Sequence, residues 1–320
     1  MFDVVALGEL LIDFTQNGLS AQGNPLFEAN PGGAPCNVLA MLAKLGKKTA
    51  FIGKVGRDLF GDMLRDTLRA VHVGDQGLMV DETANTTLAF VHTKPGGDRE
   101  FSFYRKPGAD MLLSEADLDQ ALVTDGTIFH FGTVSCTHEG VRNATFAAAR
   151  MAKAAGRLVS FDPNLRPPLW DDLEEARASM DQGCRLCDIL KIADNEALFL
   201  SGKADLEAAA QWLRAEYPGR LILLTMGKEG SAGFLGDIAV RAPGFRVDTI
   251  ETTGAGDCFM GCCLGYILDH GLQGLDETGL AHMLRFANAA AALVTTKKGA
   301  IRSMPGRDEI LRLMEETAER

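Results

Sequence analysis

The sequence predicts a three-layer α/β/α fold with a mostly parallel central sheet and a small β-lid. Short, wholly apolar runs alternate with helix-periodic segments along most of the chain, a pattern typical of parallel strands covered by helices on both faces. Two stretches, 13–31 and 85–106, break this rhythm. With 320 residues, 46% of them hydrophobic, the chain is long enough for one domain over 1–320.

Each element follows from these runs in chain order. Apolar runs predict strands over 4–8, 49–56, 127–132, 157–164, 188–193 and 220–227. Helical periodicity predicts helices over 34–45, 58–70, 138–155, 205–216, 257–270 and 276–297. Ligands of parallel sheets bind beyond the carboxyl ends of the strands. The functional residues are therefore expected in the loops that follow those ends.

The two irregular stretches predict the lid. Residues 85–106 alternate in period two on either side of "PGGD", which indicates an antiparallel hairpin. Residues 13–31 lack helical period and lie between the first strand and the first helix. Closing such a lid would exclude water from a reacting group, whereas the alternative is a pair of ordinary surface loops. An apolar lid face would also suit a second copy of the chain, so a homodimer through the lid is a hypothesis.

Composition excludes several classes of protein. The net charge of −11 argues against nucleic-acid binding, which needs a basic face. The start "MFDVVALGEL" carries acidic residues where a signal peptide needs basic ones, and no apolar run is long enough to cross a bilayer. The seven cysteines suit reduced thiols of a cytoplasmic protein. Cys184 and Cys187 have CxxC spacing, for which core packing is the main interpretation and a metal site the alternative.

A glycine-rich turn precedes the helix predicted over 257–270. Gly254, Ala255 and Gly256 lead into Asp257 in the stretch "ETTGAGDCFMG". A helix N-terminus offers unpaired backbone N–H groups and the positive end of the helix dipole, and small residues let an anion approach them. The turn is therefore predicted to be an anion hole with Asp257 within reach of the bound group. The alternative is that Asp257 only complements the dipole.

Two stretches resemble the signatures of the ribokinase (PfkB) family of sugar kinases. Residues 32–61, "GGAPCNVLAMLAKLGKKTAFIGKVGRDLFG", resemble the first signature, and "ETTGAGDCFMG" resembles the second, whose usual form is DTTGAGDxF. The resemblance extends over essentially the whole chain, and the stretches 97–113 and 161–170 resemble fructokinases within the family. It implies a ribokinase-like α/β fold and transfer of a phosphoryl group from ATP to a sugar hydroxyl.

The family motif implies the roles of the reacting groups. Asp257 corresponds to the general base that takes the hydroxyl proton. The backbone amides of 254–256 correspond to the groups that hold charge on the transferred phosphoryl group.

The resemblance also implies a sugar site built from the first strand, the first helix and the lid. Phe103 and Arg105 lie on the predicted hairpin, where they would cover the ring and reach its hydroxyls; the alternative is that they face solvent or the core. For Asn37 the alternative is an ordinary polar residue of a helix N-terminus. The positions carried over for the sugar are Asp13, Gly32, Gly33, Asn37, Phe103, Arg105 and Arg166.

The two common nucleotide fingerprints, GxxxxGK[ST] and a GxGxxG after the first strand, are absent from the sequence. The family binds ATP through other residues. For Asn288, inside an Ala-rich helix, a buried structural hydrogen bond is the alternative. The nucleotide positions carried over are Lys191, Thr225, Gly227, Gly230, Asn288 and Gly299.

Two acidic residues are implied as cation contacts. Glu196 matches the end of the NxxE element, which orders Mg²⁺ through water, although Ala193 replaces the Asn of that element. ATP phosphates are expected to supply most ligands of this ion. Glu251 stands where the signature has Asp, a residue that helps relatives to bind a monovalent cation. Its extra methylene moves the carboxylate further into the site, so a need for K⁺ does not follow from the resemblance.

The resemblance thus implies an ATP- and Mg²⁺-dependent kinase that converts D-fructose to fructose 6-phosphate. A kinase for 2-keto-3-deoxygluconate, another ketose or a nucleoside is the alternative within the family. A catalytically silent sugar-binding regulator of the same fold is a further alternative, against which the intact "GAGD" argues.

Overall fold

The protein is described by a computed structural model that covers residues 1–93 and 99–318. Its strands are β1 (Phe2–Leu7), β2 (Leu11–Leu19), β3 (Pro25–Gly32), β4 (Thr49–Gly56), β5 (Val73–Asp81), β6 (Leu88–Thr93), β7 (Arg99–Tyr104), β8 (Gly126–Phe131), β9 (Leu158–Phe161), β10 (Ile189–Ala193), β11 (Leu221–Thr225), β12 (Ser231–Leu235) and β13 (Ile238–Ala242). Its helices are α1 (Ala34–Lys44), α2 (Leu59–Ala70), α3 (Gln120–Asp125), α4 (Glu139–Ala154), α5 (Leu173–Leu186), α6 (Asp194–Ser201), α7 (Leu206–Glu216), α8 (Ala255–His270), α9 (Glu277–Val294) and α10 (Arg307–Ala318).

Nine strands of the described residues form the main sheet, in the order β13-β12-β11-β10-β9-β8-β1-β4-β5. The strands from β11 to β5 pair in parallel, and β12 and β13 add an antiparallel edge. Side chains alternate between the two faces, since Val4 and Ala6 belong to one core cluster while Val5 and Leu7 belong to the other. Helices α1, α2, α8, α9 and α10 cover the first face, and α4, α5, α6 and α7 cover the second. The predicted three-layer α/β/α class with a mostly parallel sheet is confirmed.

A second sheet, here called the lid sheet, has the order β3-β2-β6-β7 within the described residues. Its strands fall in or beside the two irregular stretches, 13–31 and 85–106. Asp13 and Phe103 each stand opposite Ala89, so both lie on one face of the sheet. Phe14 and Phe90 lie on the other face, with their ring centroids 4.9 Å apart. The predicted turn at 95–98 lies outside the described residues.

Two further expectations concern membranes and thiols. No helix among the described residues is both long and apolar enough to span a membrane.

Cys184, on α5, and Cys187, directly after α5, are both buried in the core. Burial raises the pKa of both thiols, that of Cys187 to about 12.

Candidate active site

A cleft of about 780 Å³ opens at the carboxyl ends of β1, β9, β10 and β11, beneath the lid sheet. This volume suits a small-molecule site. Most of the residues singled out from the sequence line it, although they come from distant parts of the chain. Those residues are Asp13, Gly33, Asn37, Phe103, Arg166, Lys191, Glu196, Thr225, Gly227, Gly230, Asn288 and the 254–257 turn.

The 254–257 turn forms the N-terminus of α8. Gly254 has φ 80°, a left-handed conformation that glycine adopts without steric cost, and α8 starts at the next residue. The first-turn amides have no acceptor within the helix, but the Ala255 N–H donates to the Thr252 carbonyl at 3.3 Å. The amides of Gly256 and Asp257 are therefore the first-turn donors best suited to an anion in the cleft.

The Asp257 carboxylate is held by two side-chain amides. Asn37 Nδ2 donates to Oδ2 at 2.7 Å, and Asn164 Nδ2 donates to Oδ1 at 3.2 Å. Burial raises the pKa of Asp257, against the Asn37 hydrogen bond and the charges of Lys191 and Arg166. The carboxylate is thus fixed at the floor of the cleft, where it can accept a proton.

Polar groups of the lid side face the same carboxylate. Burial raises the pKa of Asp13 to about 7, with Arg166 opposing the shift and Glu251 and Asp257 adding to it. Asn37 Oδ1 is buried and has no hydrogen-bond partner. An unpaired buried acceptor is costly, so a ligand hydroxyl in the cleft would satisfy it.

Comparison with known proteins gives one consistent result. The model of the pfkB family carbohydrate kinases matches residues 1–307. The chain belongs to the pfkB family of carbohydrate kinases. A probable fructokinase-3 from Arabidopsis thaliana is 42% identical over 323 residues, which cover 99% of this chain and 92% of the plant protein.

Two solved structures are similar over nearly their whole length. A fructokinase from Xylella fastidiosa with bound ATP has a TM-score of 0.90 and 34% identity, covering 99% of this chain and 100% of that one. A fructokinase from Vibrio cholerae O395 with fructose, ADP and calcium ion has a TM-score of 0.89 and 31% identity, covering 98% and 99%. The predicted ribokinase-like fold of this carbohydrate kinase is confirmed.

The kinase carries a buried cation beside the 254–257 turn. Lys191 Nζ lies 3.0 Å from Asp162 Oδ1 and 2.9 Å from Oδ2. Thr225, Gly227 and Gly230 follow β11 along the same wall of the cleft.

Asn288, on α9, donates from Nδ2 to the carbonyls of Ala242 and Pro243, each at 3.1 Å. The structural hydrogen bond considered as its alternative role is therefore present, and Asn288 also lines the cleft.

Arg105 lies just beyond the lid hairpin and makes contacts within the protein. Its guanidinium is buried, pairs with Asp110 at 2.8 and 2.7 Å, and donates to the Thr137 hydroxyl and the Val134 carbonyl. Burial of a guanidinium requires such pairing, and Asp110 supplies it from the segment beyond the lid. Phe103 lines the cleft and Arg105 does not, although its acceptor Val134 does. The contact of Arg105 with the sugar stays a prediction.

The two acidic residues predicted as cation contacts bind backbone amides. Glu196 accepts from the Leu165 N–H at 2.7 Å and from the Ala193 N–H at 2.9 Å, which caps α6. Its position at the wall of the cleft leaves it within the site. Those two bonds join the loop after β9 to the loop after β10.

Glu251 accepts from the Thr253 hydroxyl at 2.6 Å and from the Gly299 N–H at 3.1 Å. Gly299 does not line the cleft; Glu251 links its N–H to Thr253, the residue before the 254–257 turn. Gly32 does not line the cleft either. It lies at the end of β3, at the base of the lid sheet, where it pairs with Leu11.

Three polar residues of the site were missed from the sequence. Glu9 lines the cleft and accepts from the Ala34 N–H at 2.7 Å, which caps α1, and burial raises its pKa to about 7. Asn164 and Asp162 follow β9 and contact Asp257 and Lys191. A positive φ of 51° at Asn164 aims its amide into the site. The signal available was their place directly after apolar strands.

Proposed function

We propose that this carbohydrate kinase is an ATP-dependent fructokinase that makes fructose 6-phosphate. The observation that carries the proposal is the Asp257 carboxylate, which two amides hold between the lid side chains and the first turn of α8. The names of the similar proteins support fructose as the acceptor.

In the proposed reaction Asp257 takes the proton of the fructose 6-hydroxyl as its oxygen bonds to the γ-phosphorus of ATP. The bond from that phosphorus to the bridging oxygen of ADP breaks. The amides of the 254–256 turn and the following Asp257, together with Lys191, stabilise the charge on the transferred phosphoryl group. A carboxylate suffices as the base because the hydroxyl becomes acidic only as the new bond forms.

The sugar subsite is proposed on the lid side of Asp257. Asp13 and the unpaired Asn37 Oδ1 accept hydroxyl hydrogen bonds, and Arg166 donates to the sugar or its incoming phosphate. Phe103 supplies the flat apolar wall that a sugar ring needs. Gly33, at the start of α1, lets the ring approach the backbone.

The nucleotide subsite is proposed along Thr225, Gly227, Gly230 and Asn288. Mg²⁺ fits this site through the ATP phosphates, with Glu196 as an outer contact through water. A carboxylate has about four lone-pair sites, so Glu196 retains acceptors beside its two amide bonds. The bound ion neutralises charge on the phosphates.

Glu251 is proposed to hold the anion turn against the 295–299 segment through its two hydrogen bonds. This role keeps the carboxylate engaged within the protein. The acceptor assay described next is therefore run with potassium and, as a control, with sodium in its place.

The substrate assignment predicts a clear preference in a coupled ADP-release assay with Mg²⁺ and ATP. Fructose, 2-keto-3-deoxygluconate, ribose, glucose, tagatose and adenosine are compared. We expect kcat/KM for fructose to exceed that of every other acceptor by at least roughly tenfold, since a lost or misplaced hydroxyl leaves a buried polar group unpaired.

The outcome of this assay distinguishes the proposed fructokinase from a kinase of another acceptor and from a sugar-binding regulator. A preference for another sugar would overturn fructose but retain the kinase. Absence of turnover on every acceptor, with ATP still bound, would favour a sugar-binding regulator.

Sugar binding should also depend on pH through Asp13. Its carboxyl has a pKa raised to about 7, so it is ionised above that pH and protonated below it. The KM for fructose is expected to rise by up to about tenfold per pH unit below 7, with a smaller change in the KM for ATP. Asp13→Asn should raise the KM for fructose at all pH values and remove its pH dependence. An unchanged pH profile in that variant would contradict the role of Asp13.

We also propose that the lid sheet covers the cleft of a single domain and that its outer face joins a second copy. Leu19, Phe27 and Tyr104 of this sheet are exposed large hydrophobic residues, which is unusual for a free surface. Strand pairing places Phe27 and Tyr104 on the same face as Phe14 and Phe90. The dimer and the cytoplasmic location stay predictions.

A further inference from the structure

A buried ion pair lies beneath the anion turn. Lys191 lies in the middle of β10 and Asp162 directly follows β9. Their side chains are only 7% and 2% exposed. Isolated buried pairs seldom add stability over well-packed apolar residues. A pair retained at this depth, on the wall of a catalytic cleft, therefore calls for a functional reason.

The ammonium of Lys191 faces the turn directly. A Cβ built on Gly256 would lie 2.9 Å from Lys191 Nζ, so the absent side chain at Gly256 leaves the space that the ammonium occupies. The ammonium thus lies beside the backbone predicted to receive the phosphoryl group.

The groups that face Lys191 favour its charged form. Burial lowers its pKa, but the carboxylates of Asp162, Glu196 and Asp257 together raise it above the ordinary value. His130, whose Nδ1 lies 2.9 Å from Ser160 Oγ, is the remaining titratable neighbour. Burial and the Lys191 charge lower the pKa of His130 to about 3, so this imidazole is neutral. Among these groups Asp162 alone contacts the ammonium directly.

We propose that Asp162 is a positioning residue, which holds the Lys191 ammonium charged and aimed at the phosphoryl group beside Gly256. The proposal rests on the phosphoryl transfer described above. The short loop after β9 then positions two groups of the proposed reaction. Asp162 holds the Lys191 ammonium, and Asn164, two residues later, holds the base Asp257. When the phosphoryl group is bound, the Lys191 ammonium donates a hydrogen bond to one of its oxygens and keeps its contact with the Asp162 carboxylate.

A double-mutant cycle tests the proposal with Asp162→Asn, Lys191→Met and both together. We expect Lys191→Met to lower kcat about 100-fold and Asp162→Asn about tenfold, with little change in the KM for the sugar. In the Lys191→Met background, Asp162→Asn should change kcat by less than about twofold, because its only route of action has gone.

The pH profile separates positioning from a structural role. In Asp162→Asn the buried ammonium loses its partner, so kcat is expected to fall roughly tenfold between about pH 7 and pH 9, whereas wild type holds its rate over that range. Thermal unfolding is followed for each variant. If Asp162→Asn does not fold, Asp162→Glu, which keeps the charge, replaces it in the cycle and should retain the wild-type alkaline profile.

Independent effects of the two substitutions on kcat, or a wild-type alkaline profile in Asp162→Asn, would overturn the proposal. The cycle is run with whichever acceptor the wild type uses. It therefore tests the coupling of Asp162 and Lys191 even if the sugar assignment is wrong. If no acceptor is used, the same cycle is read from the affinity for Mg²⁺-ATP by calorimetry, with coupled losses supporting the proposal and independent losses overturning it.

Discussion

Replacing Asp257 by Asn is expected to lower kcat by roughly 10³-fold while leaving the affinities for ATP and sugar within a few-fold of wild type. The loss follows because an amide cannot accept the hydroxyl proton. The fold should tolerate the change, because Asn has nearly the size of Asp and its Oδ1 can still accept from one of the two amides, Asn37 or Asn164.

Turnover and binding must therefore be measured on the same preparation. Calorimetric titration with ATP and with the sugar gives the affinities, and the coupled assay gives kcat. Asp237→Asn, the same substitution on an exposed turn, is the matched control and should keep wild-type turnover. Retention of more than about a tenth of kcat in Asp257→Asn would contradict the assignment of Asp257 as the base, since general-base catalysis raises the rate roughly 10²–10⁴-fold.

The sequence predicted the buried strands well because their signal is local. The apolar run 49–56 matches β4 at both ends, and the predicted helix 58–70 begins one residue before α2. By contrast, β5 was not predicted. Its sequence "VGDQGLMVD" mixes Gly, Asp and Gln with apolar residues, and those three residue types are poor strand formers. Its pairing with β4 overrides that local preference.

The edge hairpin of β12 and β13 was missed for a related reason. Residues of β13 alternate between partly buried and exposed up to the buried Ala242, so the pair lacks the continuous apolar run that marks a parallel strand. Sequence patterns find the centre of such a sheet more readily than its antiparallel edge.

The candidate site divides in the same way. The turn before Asp257 was predictable because a short motif implies the start of a helix and its exposed amides. Its partners were not, because Asn37 lies 220 residues away in sequence and Asn164 lies 93 away. Contacts at such separations depend on how the strands are ordered in the sheet, which no local pattern specifies.

Arg105 shows another limit of the motif. The family motif located the residue at the lid hairpin, but it carries no information about Asp110, five residues later, whose carboxylate pairs with the guanidinium. The resemblance therefore identified the segment but not the partners of its side chain.

Replacing Gly256 by Ala is expected to lower kcat about 100-fold with only a small loss of stability. The added methyl would lie 2.9 Å from Lys191 Nζ, and Asp162 holds that ammonium in place. It would also narrow the approach of the phosphoryl group to the first-turn amides. Displacing the ammonium from its buried pair with Asp162 costs stability, and the preference of a helix for Ala over Gly, about 0.5–1 kcal/mol, offsets part of that cost.

The combination of a large loss of turnover and a small loss of stability distinguishes a site effect from damage to the fold. Urea denaturation supplies the stability and the coupled assay supplies kcat. Gly265→Ala, on the same helix but distant from the cleft, is the control and should keep wild-type kcat. A wild-type kcat in Gly256→Ala would mean that neither the ammonium nor the turn contacts the phosphoryl group. The anion hole would then have to be placed elsewhere along the cleft.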